Sequence, residues 1–328
     1  MKFILKKLPL WIKEPIYLFV SNINKIPIQF VFYKSLCSFI DNINCTDNFK
    51  QQINKKKNKA VYNYLNKKYG NIIDELIENV SIGSKPSNKT IWVFWWQGEN
   101  NAPTIVKKCI NSIRKNSGSY NVIMIDKTNY REYIDIPKHI LRKMSEKIIS
   151  FTHFSDFYRM ALLNEHGGIW IDASIYMKSS TREDYLEKSI FSIRNPGEDN
   201  LNISEWNWTV GVIGGWKGNS LFSISSFLLN KYWMDHNYCI DYFIFDYIIR
   251  LIYDKSDAIK NQINMIKPNN DNFYLLQNNA NFQYEKDKYD REFNSDTWLY
   301  KLSWKGNYAD FTSNGKKTYF NVWINNND

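Results

Sequence analysis

Apolar residues recur at two spacings in the middle of the chain, and together they predict an α/β unit. The continuous apolar runs within 91–96 and 121–126 are typical of buried strands, whereas residues 102–115 between them show helical spacing. A strand, a helix and a second strand within about 35 residues form the parallel βαβ unit of α/β proteins. The expected fold class is therefore α/β, with a mainly parallel sheet covered by helices.

The next stretch continues this pattern and carries charged residues. Residues 152–165 lack Gly and Pro and show helical apolar spacing, and Gly167 with Gly168 supplies the stop that helix ends favour. An apolar strand over 169–171 follows and ends at Asp172. The carboxyl end of a central strand is where open α/β sheets bind ligands. Asp172 is therefore a candidate site residue.

Asp156 and Arg159 share one face of the predicted helix because they are three residues apart. A charged pair on so apolar a helix must be solvated, mutually paired or directed at a polar ligand. Both residues are therefore candidates for the same site as Asp172.

The rest of the pattern predicts further elements. These are a polar helix or linker over 47–70, a short helix over 71–80, a helix over 137–148, an edge strand over 173–178, a strand over 189–194, strand material closed by a Gly-Gly turn within 206–216, helices over 220–233 and 238–253, and a strand over 318–324.

Charge is distributed unevenly along the chain. The formal net charge is +10, and residues 1–70 hold thirteen Lys against three acidic residues. The remainder holds thirty basic and thirty acidic residues, which disfavours a nucleic-acid groove in the main body. The basic segment either contacts an anionic membrane surface or packs its apolar side on the main domain with its lysines in water. We expect a mostly helical extension and linker over 1–85 and a main domain over 86–328.

The four cysteines, Cys37, Cys45, Cys109 and Cys239, show no metal-binding or disulfide spacing, which is typical of reduced thiols. No apolar run reaches the ~18–20 residues of a membrane span. The N-terminal sequence also lacks the small-residue cleavage site of a secretory signal. These features predict a cytoplasmic protein, peripheral on the inner membrane face if the basic segment binds lipid.

Residues 155–174 read S-D-x-x-R-x-x-L-L-x-x-x-G-G-I-W-I-D-A-S, and this pattern resembles the glycosyltransferases of bacterial capsular polysaccharide synthesis. That family is similar to the DXD-motif sugar transferases and, more distantly, to the clostridial glucosylating toxins. The resemblance implies a GT-A-like nucleotide-sugar-binding domain preceded by the helical extension. It also implies that Asp156 and Arg159 hold the donor sugar and that Asp172 is the first position of the DXD motif.

The third DXD position is Ser174 rather than Asp. By the resemblance, Asp172 and Ser174 are the candidate ligands of a divalent cation, Mn²⁺ or Mg²⁺. A hydroxyl is a weaker, neutral ligand for a hard cation than a carboxylate. The serine thus weakens the prediction of a metal more than the prediction of the family.

The resemblance extends over about residues 90–305 and implies further contacts. Trp95 or Trp96, with Gln97, would contact the nucleotide base. Strand alternation lets only one of the two indoles face the site. The alternative for each tryptophan is a place in the core of the sheet. The other implied contacts are Ser155, Lys301, Ser303, Trp304 and Lys305 on the donor, and Asn207 and Trp208 on the acceptor side. The two lysines are either phosphate partners or solvated surface residues.

Asp241 and Asp246 lie in a segment, I-D-Y-F-I-F-D-Y-I-I-R, that resembles a D-Y-F-x-x-x-Y stretch of the same family. Two carboxylates on an apolar helix are costly unless they are paired or face a cavity. Asp246 is therefore either a catalytic carboxylate or the i, i+4 ion-pair partner of Arg250, and Asp241 is either a site residue or a helix cap.

The favoured hypothesis is transfer of a sugar from a nucleotide-sugar donor to a saccharide acceptor, with Asp156, Arg159, Asp172 and Asp246 as the catalytic set. The resemblance implies a UDP-sugar, retention of configuration, and an acceptor that is a lipid-linked intermediate of capsular or other surface polysaccharide. Two alternatives stay open. One is a toxin-like transferase that modifies a protein, and the other is a non-catalytic, membrane-associated scaffold with a degenerate transferase fold.

Overall fold

The computed structural model describes residues 10–22, 26–43, 45–180, 187–195, 202–293 and 296–325. Its strands are β1 Thr90–Phe94, β2 Asn121–Ile125, β3 Gly168–Ile171, β4 Ile175–Met177, β5 Ile190–Ser192, β6 Val212–Gly215 and β7 Leu299–Lys301. Its helices are α1 Leu10–Asn22, α2 Ile28–Asp41, α3 Asp47–Leu76, α4 Thr104–Asn116, α5 Lys138–Ser145, α6 Phe151–His166, α7 Ser220–Asp235, α8 Ile244–Lys255, α9 Asp257–Asn264, α10 Leu275–Asn279 and α11 Lys286–Glu292.

A five-stranded sheet forms the centre of the described chain, in the order β2-β1-β3-β6-β5. Strand β1 is parallel to β2 and to β3, whereas β6 is antiparallel to both β3 and β5. Strand β5 therefore runs in the same direction as the first three, and the predicted mainly parallel sheet is confirmed. Strands β4 and β7 pair antiparallel in a separate two-stranded sheet.

Side chains from the two faces of the sheet enter two different cores. Ile91 of β1 and Ile169 of β3 pack with α4, β4 and β7, whereas their neighbours Trp92 and Trp170 pack with α6, α7 and α8. This alternation is the period of two that strands show when both faces are buried. The mixed α/β architecture follows from it, because helices must cover each face.

Helix α6 ends where the glycine signal predicts. Ser150 caps its first turn by accepting a hydrogen bond from the His153 amide at 3.2 Å. Gly167 has a φ of 68° and donates to the Leu163 carbonyl at 2.9 Å, a conformation that side chains rarely adopt. Because β3 follows this tight turn at once, the first turns of α6 lie beside the carboxyl end of β3.

The predicted turn at the second glycine pair is wrong. Gly214 and Gly215 lie within β6, in register with β3 and β5. A Cβ atom at Gly214 would lie 2.4 Å from the Gly168 carbonyl oxygen. Close approach of the two strand backbones, rather than a change of chain direction, is therefore what requires glycine there.

Helix α3 joins two segments that the pattern separates. The polar segment 47–70 and the short helix 71–80 form one helix that ends at Leu76. Thr46 caps it by accepting a hydrogen bond from the Phe49 amide at 3.4 Å. The polar character of its exposed face hides the helical period of the few apolar positions, and this is why the pattern breaks it in two.

The apolar positions of α3 are buried among the helices that follow the sheet. Val61, Leu65, Tyr69 and Ile73 lie at helical spacing, are at most 1% exposed, and belong to the core formed with α7 and α8. Of the two readings of the basic segment, packing on the main body therefore applies to this helix. The division of the chain at residue 85 stays a prediction.

Three other elements differ from the pattern. The helix predicted over 238–253 begins at Ile244, and the edge strand over 173–178 is shortened to β4 because the residues before it form a turn. The strand predicted over 318–324 is replaced by a π-helical turn, Asn321–Asn325. The buried residues of that segment, Tyr319, Phe320, Trp323 and Ile324, follow helical rather than alternating spacing, which explains the error. None of the described helices combines the length and apolar character that crossing a membrane requires.

Candidate active site

The site lies at the carboxyl end of β3, where Asp172 receives three side-chain hydrogen bonds. Its Oδ1 accepts from Trp170 Nε1 at 2.9 Å and from Arg159 Nη2 at 3.4 Å, and its Oδ2 accepts from Lys301 Nζ at 3.0 Å. Burial by itself would raise the pKa of this carboxyl group, but Lys301 and Arg159 outweigh burial and hold the pKa of Asp172 below its usual value. Asp172 is therefore ionised at neutral pH.

Arg159 is a buried cation between two carboxylates. Its Nη2 lies 3.5 Å from Asp156 Oδ1 and 3.4 Å from Asp172 Oδ1, and its Nη1 donates to the Val210 carbonyl. The guanidinium carbon lies 4.8 Å from the centroid of the Trp170 ring, within cation–π range. Since its side chain is only 4% exposed, Arg159 has one fixed orientation.

Asp156 shares Arg159 with Asp172, and among the described residues it pairs with no second cation. Burial, the largest influence, raises the pKa of Asp156 to about 7, and the negative charges of Asp246 and Asp172 add to the increase while Arg159 opposes it. A carboxyl group with this pKa is present in both protonation states near neutral pH. It can therefore donate a hydrogen bond to a ligand hydroxyl as well as accept one.

Asp246 turns toward the site rather than toward Arg250. Its Oδ1 accepts a hydrogen bond from Trp208 Nε1 at 3.0 Å, and burial raises the pKa of Asp246 to about 6. The predicted ion pair with Arg250 is wrong, because Arg250 bonds to Glu205 at 2.9 Å and to Asp254 at 3.0 Å on the outer side of α8. Asp156, Asp172 and Asp246, whose charges act on one another, thus form a carboxylate cluster.

Asp241 stabilises the turn before α8 rather than capping the helix, because the N-cap position of α8 is Phe243 and no side chain in the described part of the chain caps it. Its Oδ1 accepts from the Phe243 amide at 3.0 Å, and its backbone carbonyl accepts from the Ile244 amide at 3.2 Å. Lys57 of α3 forms an ion pair with it at 3.2 Å. These contacts stabilise the turn into α8.

Lys301 occupies the place between the two predicted metal ligands. Its Nζ donates to Asp172 Oδ2 at 3.0 Å and to Ser174 Oγ at 3.1 Å. A hard divalent cation prefers several oxygen ligands, mostly carboxylates, whereas this position offers one carboxylate and one hydroxyl that already bind an ammonium group. No group of three His, Cys, Asp or Glu in the described part of the chain could hold a metal ion. The residues present therefore do not fit a divalent cation in this arrangement, and the cation stays a prediction.

The two tryptophans after β1 lie on opposite faces of the sheet, as strand alternation requires. The Trp95 ring contacts Trp304 edge-to-face at 5.9 Å, whereas Trp96 packs in the core against Phe151 and Phe154. Trp95 is therefore the indole that faces the β7 side. The side chain of Gln97 is exposed at the end of the strand.

The segment after β7 is stabilised by contacts within itself. Ser303 accepts a hydrogen bond from the Lys305 amide at 3.3 Å and donates its own amide to the Tyr308 hydroxyl at 2.7 Å. The Lys305 ammonium lies 5.2 Å from the ring centroid of Trp304, which is 49% exposed. Of the two predicted phosphate partners, Lys301 is the one that lies within the carboxylate cluster.

The acceptor-side candidates lie in different surroundings. Trp208 and Asp246 line a cavity of about 430 Å³ together with Tyr274 and Lys57. Asn207 is buried, accepts from Arg194 at 3.3 Å, and donates to a backbone carbonyl at 3.1 Å. The structure therefore places Trp208 in the wall of the cavity, whereas Asn207 stabilises the surrounding backbone.

Ser155 and Trp170 show what the pattern could and could not indicate. The hydroxyl of Ser155, a predicted donor contact, bonds to the Thr152 carbonyl of its own helix at 2.7 Å. Trp170 was not predicted as a site residue. Strand alternation places residues 170 and 172 on the same side of the sheet, so this spacing could have indicated that Trp170 contacts Asp172. Tyr274 reaches the cavity from a turn 102 residues after Asp172. No local pattern marks such a residue.

Comparison with known proteins identifies relatives. The family model described as capsular polysaccharide synthesis protein matches residues 41–322. The O-glycosyltransferase PaGT of Phomopsis amygdali is 29% identical over 156 residues, 40% of this chain and 38% of its own length. The O-glycosyltransferase braB of Annulohypoxylon truncatum is 31% identical over 100 residues, 28% of this chain and 24% of its own length. The chain thus spans well under half the length of either relative.

A solved structure, the PaToxG Glycosyltransferase, aligns with a TM-score of 0.39 and 14% identity over 66% of this chain and 84% of that chain. The family match extends over most of the 328 residues and includes every residue of the carboxylate cluster. The chain therefore belongs to the capsular polysaccharide synthesis protein family.

Proposed function

We propose that this protein transfers a sugar from a nucleotide-sugar donor to a saccharide acceptor. The observation that carries the proposal is the carboxylate cluster at the end of β3, where Asp172 binds both Arg159 and Lys301. Sugar hydroxyls need fixed carboxylates and a guanidinium, and a departing diphosphate needs a cation, so the cluster matches both ends of such a donor. The O-glycosyltransferase names of two relatives support the same reaction.

The reaction breaks the bond between the anomeric carbon and the diphosphate oxygen, and the electron pair leaves on the nucleoside diphosphate. A bond forms between the anomeric carbon and an acceptor hydroxyl oxygen, and the hydroxyl proton passes to the departing diphosphate. This front-face course retains configuration, as the family resemblance implies. Asp156 and Arg159 would orient the sugar ring, because both are held in fixed positions beside Asp172.

The donor that we propose is a UDP-sugar. Trp95 would stack on the base, and the exposed Trp304 beside it would cover the nucleotide. Gln97 and Ser303 would add polar contacts at the same end. The GT-A assignment, Ser155 as a donor contact, and the divalent cation stay predictions of the same resemblance.

The acceptor would enter through the cavity beside Trp208, whose indole provides an aromatic surface for a sugar. Asp246, mostly ionised above its pKa of about 6, would accept a hydrogen bond from the reacting hydroxyl. We propose that this acceptor is a lipid-linked intermediate of a surface polysaccharide. Contact of residues 1–70 with an anionic membrane would bring the enzyme to it.

Turnover and binding across a panel of nucleotide sugars test the proposal, each with Mn²⁺ and with EDTA. Asp172→Asn and Arg159→Ala should each reduce turnover of the accepted donor at least about a hundredfold, because each removes a charge that the cluster needs. The exposed Asp290→Asn serves as the matched control and should keep wild-type turnover. If no nucleotide sugar binds or reacts, the transferase proposal is wrong and the scaffold alternative leads. Transfer to protein substrates alone would favour the toxin-like alternative.

A further inference from the structure

We propose that the ammonium group of Lys301 takes the place of the divalent cation, so that this protein binds the diphosphate of its donor without metal. The inference rests on the proposed function, since it specifies how the same site holds the leaving group. It differs from the resemblance, which implies a metal at Asp172 and Ser174. The geometry of Lys301 is the observation that favours the ammonium group.

Backbone hydrogen bonds on both sides of β7 fix the position of the Lys301 backbone, and this position directs its side chain to Asp172 and Ser174. Lys301 pairs with Ile175 across β4 and β7, and its amide donates to the Phe273 carbonyl at 2.7 Å. The next amide, that of Leu302, donates to the Ser174 carbonyl at 2.9 Å. These hydrogen bonds place Lys301 directly opposite the turn formed by residues 172–174.

Within the part of the chain that the structure describes, the Lys301 ammonium group has one donor left for a ligand. It has three N–H groups, and Asp172 and Ser174 accept two of them at 3.0 and 3.1 Å. The lysine side chain is 26% exposed, so its neighbours cover it only in part. A diphosphate oxygen is a charged acceptor that forms a strong hydrogen bond with such a group.

Ser174 suits this arrangement better than the aspartate that a DXD motif would have at this position. A second carboxylate would repel a diphosphate unless a divalent ion lay between them, whereas a neutral hydroxyl accepts from Lys301 and can donate to a phosphate oxygen. A divalent ion at the same place would lie beside the Asp172 carboxylate but would also face two cations, Lys301 and Arg159. The serine and the lysine therefore act as a matched pair.

Binding of UDP and GDP to the full chain, measured by titration calorimetry, tests the inference. The dissociation constant of the bound nucleotide should differ by no more than about twofold between EDTA and Mn²⁺. Lys301→Met keeps the length of the side chain but removes its charge, and it should weaken binding about tenfold to a hundredfold. The exposed Lys316→Met serves as the matched control and should bind as the wild type does.

A second variant separates this role from loss of fold. Ser174→Asp combined with Lys301→Met restores two carboxylates at DXD spacing and removes the ammonium, so its nucleotide binding should become dependent on Mn²⁺. Binding by the wild type that disappears in EDTA and returns with Mn²⁺ would overturn the inference and leave the transferase proposal intact. Absence of nucleotide binding by the wild type under every condition would instead overturn the transferase proposal.

Discussion

At the scale of residues, burial divides the charges of the carboxylate cluster unequally. Asp172 has two cationic partners and stays ionised, whereas Asp156 has one and titrates near neutral pH. Asp156, Asp172 and Asp246 repel one another when ionised, and Arg159 and Lys301 offset this repulsion only in part, so all three cannot ionise without cost. Among its carboxyl groups the site therefore combines one that is permanently ionised, Asp172, with others that change protonation in the physiological range.

This division predicts how stability depends on pH. The pKa of Asp156 is about 7 in the folded chain and about 3.9 when unfolded, so folding favours its protonated form. The resulting stabilisation is complete below pH ~4 and is lost as pH rises through ~7. Asp156→Asn imitates the protonated form and does not titrate. The free energy of unfolding of the variant minus that of wild type should therefore increase by about 2–3 kcal/mol from pH 5 to pH 8.

Urea unfolding of both proteins at pH 5, 6, 7 and 8 measures this difference. Asp290→Asn, at an exposed position on α11, is the control and should follow wild type at every pH. A constant difference between Asp156→Asn and wild type across the range would show that Asp156 is ionised throughout.

The sequence pattern could predict those residues whose contacts are local. Asp156 and Arg159 lie on one helix face, and the glycine stop folds that face back on Asp172, so helical and strand periods suffice to bring the three together. Lys301 reaches Asp172 across 129 residues through the pairing of β4 with β7. That pairing depends on tertiary packing, so only the family resemblance indicated the lysine. The direction of Asp246, toward Trp208 and away from Arg250, was also set by packing.

At the scale of elements, α3 shows how a polar sequence can form part of a core. Its exposed face carries most of its lysines, whereas Leu65 is completely buried against the helices after the sheet. A helix with this pattern gains its stability from packing rather than from its own propensity. Helix α3 therefore stabilises the body of the protein.

Leu65→Ala should lower the free energy of unfolding by about 2–5 kcal/mol, because it leaves a cavity in a closely packed core. Lys56→Ala, at an exposed position of the same helix, should change it by less than about 0.5 kcal/mol. Chemical denaturation with a single cooperative transition measures both. Equal stabilities of the two variants would mean that α3 is only loosely attached, as a detachable extension would be.

At the scale of the molecule, the charge of the basic segment and the burial of α3 restrict how a membrane could be bound. Residues 1–70 hold the whole net charge, yet the apolar face of α3 is already used within the protein. Insertion of that face into lipid would expose the core. For α3, attraction between its exposed lysines and anionic headgroups is the contact that this packing permits, and such attraction is screened by salt.

The full chain should therefore sediment with vesicles rich in phosphatidylglycerol at ~50 mM salt and be released at ~500 mM salt, where the Debye length falls to a few Å. Charge reversal of three exposed lysines of α3, Lys55, Lys56 and Lys59, should abolish sedimentation at low salt. The same reversal at the exposed Lys286, Lys316 and Lys317 gives a variant with the same net charge and should have little effect, since those lysines lie outside the basic segment.

Equal loss of sedimentation in both triple variants would mean that net charge alone drives binding, whereas sedimentation that persists at high salt would show apolar insertion. Truncation at Thr90 is unsuitable for this measurement, because it would remove Leu65 and its neighbours from the core.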